Sequence, residues 1–267
     1  MSMRISQANP LVFLLIQIAA FWPVWQWYAL RATDASSESW ELLALATAVL
    51  FVFLRKDEMP PQRMRPGLPI LLLLIYAASY AFLPPLLRAA LAMSALAAAC
   101  SAIWFGQRLH LALWGLLLLS LPVIASLNFY LGYPLRVIAG VVTAALLQMN
   151  GLAVIREGTL LNWDGQLIAI DAPCSGVKML WAGLYLCFTL AAFLRLDGRR
   201  TALLGLLTVA AIVLSNILRA TALFYVETGL VALPKPWHAG IGVVVFLVTA
   251  LAIASVAQYV RKPTYVA

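Results

Sequence analysis

The sequence predicts an all-α integral membrane protein of about eight transmembrane helices, with an interfacial helix and a small extracytoplasmic hairpin. Three observations carry that expectation. Hydrophobic residues make up 64% and charged residues 10% of the 267 positions, against roughly 45–50% and 25% in soluble domains. A water-soluble fold of this length has too little interior to hide so much apolar surface. The apolar residues gather in nine runs, at about 11–30, 40–54, 68–83, 86–105, 109–128, 135–152, 174–194, 201–224 and 238–260, and a helix of ~20 such residues crosses a ~30 Å hydrocarbon core. The basic residues behind the net charge of +8 sit mainly in short segments between these runs. There they orient helices in a bilayer and do not form a nucleic-acid surface.

The first run follows a single basic residue, Arg4, and is long and rich in Trp, Phe and Tyr. A secretory leader has a shorter core and a small-residue cleavage site, so this run is expected to be a retained helix. Lys and Arg then cluster at Arg55/Lys56/Arg63/Arg65, at Arg195/Arg199/Arg200 and at Arg261/Lys262. Their tendency to stay cytoplasmic asks for all three clusters on one side. Nine spans cannot satisfy that; removing one between residues 66 and 194 can. The run at 135–152 begins after Tyr133-Pro134 and carries Arg136, Thr143, Gln148 and Asn150, so it is expected to be the interfacial or re-entrant helix, on the outer side. Eight spans remain, with both termini inside and 11 of the 18 Lys and Arg residues cytoplasmic. No internal repeat is visible, which argues against a transporter built from inverted halves.

Residues 154–171 are less apolar. Asp164-Gly165 between β-prone flanks predicts a tight hairpin, leading directly to Cys174. Of the three cysteines, Cys100 and Cys187 lie inside apolar runs and read as small buried residues. Cys174 stands in Asp171-Ala-Pro-Cys-Ser-Gly-Val-Lys178, where a span is expected to begin. A helix N-terminus and the Lys178 ammonium one turn on would both favour the thiolate. No C-x-x-C occurs, and no metal or cofactor is expected.

Arg219 follows a cytoplasmic start near Thr201 by 18 residues, a rise of roughly 27 Å, which puts it near the outer interface. Arginine within a span is a functional candidate, although it also serves as a snorkelling anchor. Asn216 shares its helix face. His238, at the outer start of the last run, can carry protons near neutral pH, or can simply sit beside Trp237 in an aromatic belt. His110 falls on the cytoplasmic side and is set aside. Cys174, His238 and Arg219 thus converge at one depth: a nucleophile, a proton carrier and a fixed cation suffice for acyl transfer.

These residues resemble the exosortase/archaeosortase family of polytopic membrane transpeptidases. The similarity lies in Cys174-Ser175-Gly176, Asn216-x-x-Arg219 and His238-x-x-x-Gly242, in that order, and extends over roughly 120–260. On this reading the chain is a single membrane domain, 1–267, in which 1–110 supplies generic helices and 120–260 the catalytic region. The resemblance implies a cysteine peptidase or transpeptidase with Cys174 as nucleophile, His238 as general acid/base and Arg219 as transition-state stabiliser. Ser175, Gly176, Lys178, Asn216 and Gly242 would support them. It implies substrates that are exported, membrane-anchored proteins with a C-terminal motif (often containing Pro-Glu-Pro), a helix and a basic tail. The setting would be a bacterial inner membrane, with the site on the extracytoplasmic side. Two other readings are a carrier or channel binding an anion through Arg88, Arg136 and Arg219, and a non-enzymatic subunit of an export complex.

Overall fold

The computed structural model describes residues 10–32, 40–55, 66–171, 175–232, 234 and 237–261, with only the backbone of His238 and Ala239. The chain divides into two compact units, residues 1–123 and 124–267.

The first unit contains α1 (Pro10–Ala20), α2 (Trp22–Ala32), α3 (Trp40–Arg55), α4 (Gly67–Ser79), α5 (Pro85–Trp104) and α6 (Leu111–Leu119). The run expected as one helix at 11–30 is broken: α1 and α2 meet at 58°. Pro23 accounts for the break, since its ring has no N–H to give and crowds the preceding turn. The Trp25 indole donates to the carbonyl of Ile18 at 2.8 Å, meeting one acceptor at the bend. Helix α5 is the centre of this unit, packing against α1, α2, α4 and α6. Its buried alanines, among them Ala89, Ala92 and Ala95 to Ala99, let neighbouring backbones approach closely, as membrane helices require.

His110, set aside on sequence, has a structural task. Its Nδ1 accepts from the Leu113 N–H at 3.4 Å and caps α6, while its ring packs on Phe51 and Phe105. Burial, and then the Arg55 charge, hold its pKa down to about 4, so the imidazole is neutral and free to accept.

The second unit contains α7 (Ile124–Met149), β1 (Ile155–Glu157), β2 (Leu160–Trp163), β3 (Gln166–Ala169), α8 (Val177–Phe193), α9 (Gly198–Glu227) and α10 (Trp237–Val260). Two boundaries differ from expectation. The run at 109–128 is not one helix, because α6 ends at Leu119 and α7 begins at Ile124. The run at 135–152 is not a separate interfacial or re-entrant helix. It is the C-terminal part of the 26-residue α7, which runs straight through Pro134. Proline is tolerated in such a helix where freed backbone groups find other partners. Pro134 leaves the Tyr130 carbonyl without its usual helical donor, and the Arg136 Nε donates to the Gly132 carbonyl at 3.3 Å close by.

The expected hairpin is formed, with one strand more than predicted. Strands β1, β2 and β3 make an antiparallel meander, and Trp163 pairs with Gln166 across the two-residue turn. Asp164 and Gly165 take φ of 49° and 78°, the left-handed pair that a type I′ turn needs. Leu161 and Ile170 of the sheet region pack with Ala144 and Leu147 of α7 and Phe224 of α9. The sheet therefore lies across the C-terminal ends of both helices.

Helix α9 is the hub of this unit, touching α7, α8 and α10. A Cβ at Gly183 of α8 would meet the Ile212 side chain at 2.7 Å, so the α8–α9 crossing depends on a residue without one. Helices α5, α7, α9 and α10 are long and apolar enough to cross a membrane, and the bent pair α1 and α2 meets the same test together. Helices α4 and α8 are shorter apolar helices. The protein is an integral membrane protein, all-α in its spans.

Candidate active site

Residues from three helices meet at the sheet-covered end of the second unit. Ser175 and Gly176 precede α8, Asn216 and Arg219 lie on α9, and His238 and Gly242 share one face of α10, four residues apart. Cys174 lies outside the described residues.

Gly176 is the N-cap of α8, with φ 80° and ψ 1°, a left-handed conformation that glycine adopts at no steric cost. Its hydrogen-for-methyl difference matters a second time. A Cβ built there would fall 2.9 to 3.1 Å from the amide group of Asn216. Asn216 is buried at 5% exposure, so its amide lies directly against the backbone that leads back to Cys174. Ser175 is buried too, and its hydroxyl accepts from the Val177 N–H at 3.4 Å, a local cap for the first turn of α8.

Helix α8 begins at Val177, later than the sequence suggested. Lys178 is exposed in its first turn.

Arg219 makes the second close contact. A Cβ on Gly242 would stand 3.2 Å from its Nε and 3.5 Å from its Cζ. The guanidinium thus packs against a position of α10 that has no side chain. Its Nε is buried and has no hydrogen-bond partner among the described residues. A buried arginine nitrogen without a partner is unfavourable in a resting fold.

Two hydroxyls that no motif singles out meet beside the site: the Thr249 hydroxyl donates to Ser215 Oγ at 2.6 Å, tying α9 to α10 on the inward side of Arg219. Thr143 on α7 and Thr221 on α9 are likewise in contact, 3.5 Å apart. These clamps hold α9 in place. A lone Ser or Thr in an apolar run carries no signal of its partner, so nothing in the sequence marked them. Cys187 is buried against Thr208 and Cys100 is half-buried, both within the helix packing.

Gly176→Ala tests the first contact. The added methyl violates both the backbone conformation and the Asn216 packing, so α8 must shift. Processing is expected to fall at least tenfold while Gly165→Ala, where φ is also positive but space is open, leaves it within twofold. Equal effects would reduce Gly176 to an ordinary turn glycine.

The arrangement defines a polytopic helical membrane protein with a recessed polar site, in which an arginine and an asparagine are packed onto two glycines at one end of a helix bundle. The chain belongs to the transmembrane exosortase family, whose sequence profile matches residues 10–255. That span reaches well beyond the region carrying the three short motifs. No curated protein and no solved structure matches the chain. Membership carries the family's general role, that of a cysteine transpeptidase.

Proposed function

We propose that this protein cleaves C-terminal sorting signals of exported, membrane-anchored proteins at the outer face of a bacterial inner membrane, through a Cys174 thioester. The observation that carries the reading is the pair of glycine contacts. Gly176 against Asn216 and Gly242 against Arg219 bring together the three stretches of chain whose motifs suggested the chemistry. Cys174 is two residues from Gly176, within about 7 Å of chain at 3.3–3.6 Å per residue. His238 stands one helical turn before Gly242 on the same face of α10.

The Cys174 thiolate attacks the scissile carbonyl, forming the C–S bond as the carbonyl electrons move onto oxygen. Arg219, with its buried Nε, faces that developing oxyanion. His238 in its protonated form gives the leaving amine its proton as the C–N bond breaks. Neutral His238 then deprotonates the acceptor, water or another nucleophile, which takes the acyl group and regenerates the thiolate. Asn216 fixes the backbone at Gly176 and so positions the nucleophile's segment.

The topology that serves this reading keeps eight spans but draws them differently. The nine-residue α6 is about 13 Å long at 1.5 Å per residue, too short to cross, and becomes the element that does not span. Counting α1 and α2 as one span, then α3, α4, α5, α7, α8, α9 and α10, returns all three basic clusters to the cytoplasm. The sheet, the start of α8 and the start of α10 then face outward.

Reporter fusions after Gly165 and Pro234 are expected to report the outside, and fusions after Arg65, Asp197 and Arg261 the inside. A cytoplasmic signal at Gly165 would separate the site from its exported substrates and end this reading. In cells with the correct topology, a secreted reporter bearing the motif, helix and basic tail should be shortened only when the chain is present.

A further inference from the structure

The first unit holds a second polar site, remote in sequence from the one above. Where α4 turns into α5, an open cleft of about 290 Å³ is walled by Gln26 and Trp27 of α2, Tyr76 of α4, Tyr80 of the turn, and Pro85 and Arg88 of α5; the remaining wall is apolar. Arg88 lies in the first turn of α5 with its guanidinium carbon 4.6 Å from the centre of the Tyr80 ring. No carboxylate among the described residues pairs with it. Tyr76 is only 5% exposed, yet its hydroxyl has no hydrogen-bond partner among the described residues. Arg88 and Tyr80 both act on that hydroxyl electrostatically.

A buried hydroxyl without a partner, beside a cation that no carboxylate neutralises, disfavours the empty state and calls for one ligand that satisfies both. The ligand must be anionic, to answer Arg88, and must accept a hydrogen bond from Tyr76. The cleft also lies over the first turn of the 20-residue α5, where the helix dipole is positive. A phosphate meets all three demands.

The depth of the cleft identifies the carrier of that phosphate. Trp27 and Tyr80 line it, and Trp22 and Phe82, close to the lining residues in sequence, are 62% and 86% exposed. Such an aromatic girdle marks the level of lipid headgroups. Arg63 and Arg65 precede α4, which places the α4–α5 turn at the outer leaflet. We propose that this cleft binds the phosphate of an outer-leaflet phospholipid, with Arg88 neutralising it, Tyr76 donating a hydrogen bond, and the acyl chains lying along the apolar wall.

The test uses the full-length protein in a non-ionic detergent, titrated with dihexanoyl phosphatidylglycerol and followed by tryptophan fluorescence. Saturable binding is expected, at least tenfold weaker in Arg88→Ala and in Tyr76→Phe. Dihexanoyl glycerol, which lacks the phosphate, should bind at least tenfold more weakly to the native chain. Equal affinity for it, or unchanged binding in both variants, overturns the proposal. Inorganic phosphate or glycerol phosphate binding as tightly as the phospholipid would assign the cleft to a soluble anion, and so overturns the lipid. Should Arg88→Ala fail to fold, Tyr76→Phe carries the test alone, with a thermal readout. Removing an orphaned hydroxyl should leave the delipidated protein as stable as native or more so, while diminishing the gain in melting temperature on adding phospholipid. An undiminished gain counts against the assignment.

Discussion

Cys174→Ser is expected to leave the protein inserted in the membrane at native levels and to abolish substrate shortening. The variant changes one atom in a segment whose anchor points, Gly176 and Asn216, are untouched, so the fold has no reason to move. A hydroxyl is a much weaker nucleophile than a thiolate unless a dedicated base activates it. Neither of the carboxylates nearest in sequence, Asp171 and Asp164, lies on the helices that form the site. Cys100→Ala and Cys187→Ala belong in the same experiment and should process normally, since both cysteines are occupied in helix packing. A carrier or a scaffold would tolerate Cys174→Ser. Processing at the native rate in that variant would therefore remove the enzyme reading altogether.

Arg219→Lys is the second change with a large expected effect, because it keeps the charge and discards the shape. A snorkelling anchor survives it. A planar fork held against Gly242 with its Nε facing inward does not, since an ammonium on a flexible stem supplies neither that donor nor its direction. Loss of one oxyanion donor costs on the order of 100- to 1000-fold in turnover, about 2.7–4 kcal/mol. A reduction of that size is expected, with expression near native and uncleaved substrate accumulating at full length. Arg88→Lys is the control. It preserves the cation of the proposed lipid cleft and lies in the first unit, remote in sequence from the three motifs, so processing should be unchanged. Equal tolerance at both positions would make Arg219 an anchor and shrink the proposed machinery to Cys174 and His238.

The legible parts of this sequence are those whose physics is local. Asp164-Gly165 announces a left-handed turn in two letters, and the turn is there. Composition announces the bilayer. Arg219 stands out because a charge inside an apolar run demands a reason. The parts that were misjudged depend on packing between distant residues. Pro134 reads as a boundary in the sequence, yet α7 continues through it. Pro23 did break its run, yet its bulky aromatic neighbours concealed the bend. Gly176 and Gly242 were noticed as letters of a motif, while their purpose, making room for Asn216 and Arg219, exists only once three helices are side by side. The partnership of Ser215 with Thr249 was invisible for the same reason.

The unequal lengths of the helices around the site have a consequence for which proteins can be cut. Helix α8, with 17 residues, is about 25 Å long, whereas α9, with 30 residues, is about 45 Å. Arg219 lies eight residues below the top of α9 and Gly242 five residues into α10, depths of about 12 Å and 8 Å. On the proposed function, the reacting bond must therefore reach about 8–12 Å below the ends of α9 and α10. A peptide bond free in solution has no force drawing it to that depth. One tethered just above its own membrane helix is held at the right altitude by the bilayer itself, with no need for extensive sequence contacts. On that reading, lengthening the spacer between motif and helix in a substrate lifts the bond above that depth, so selection would be made by height above the hydrocarbon, and a short motif would suffice.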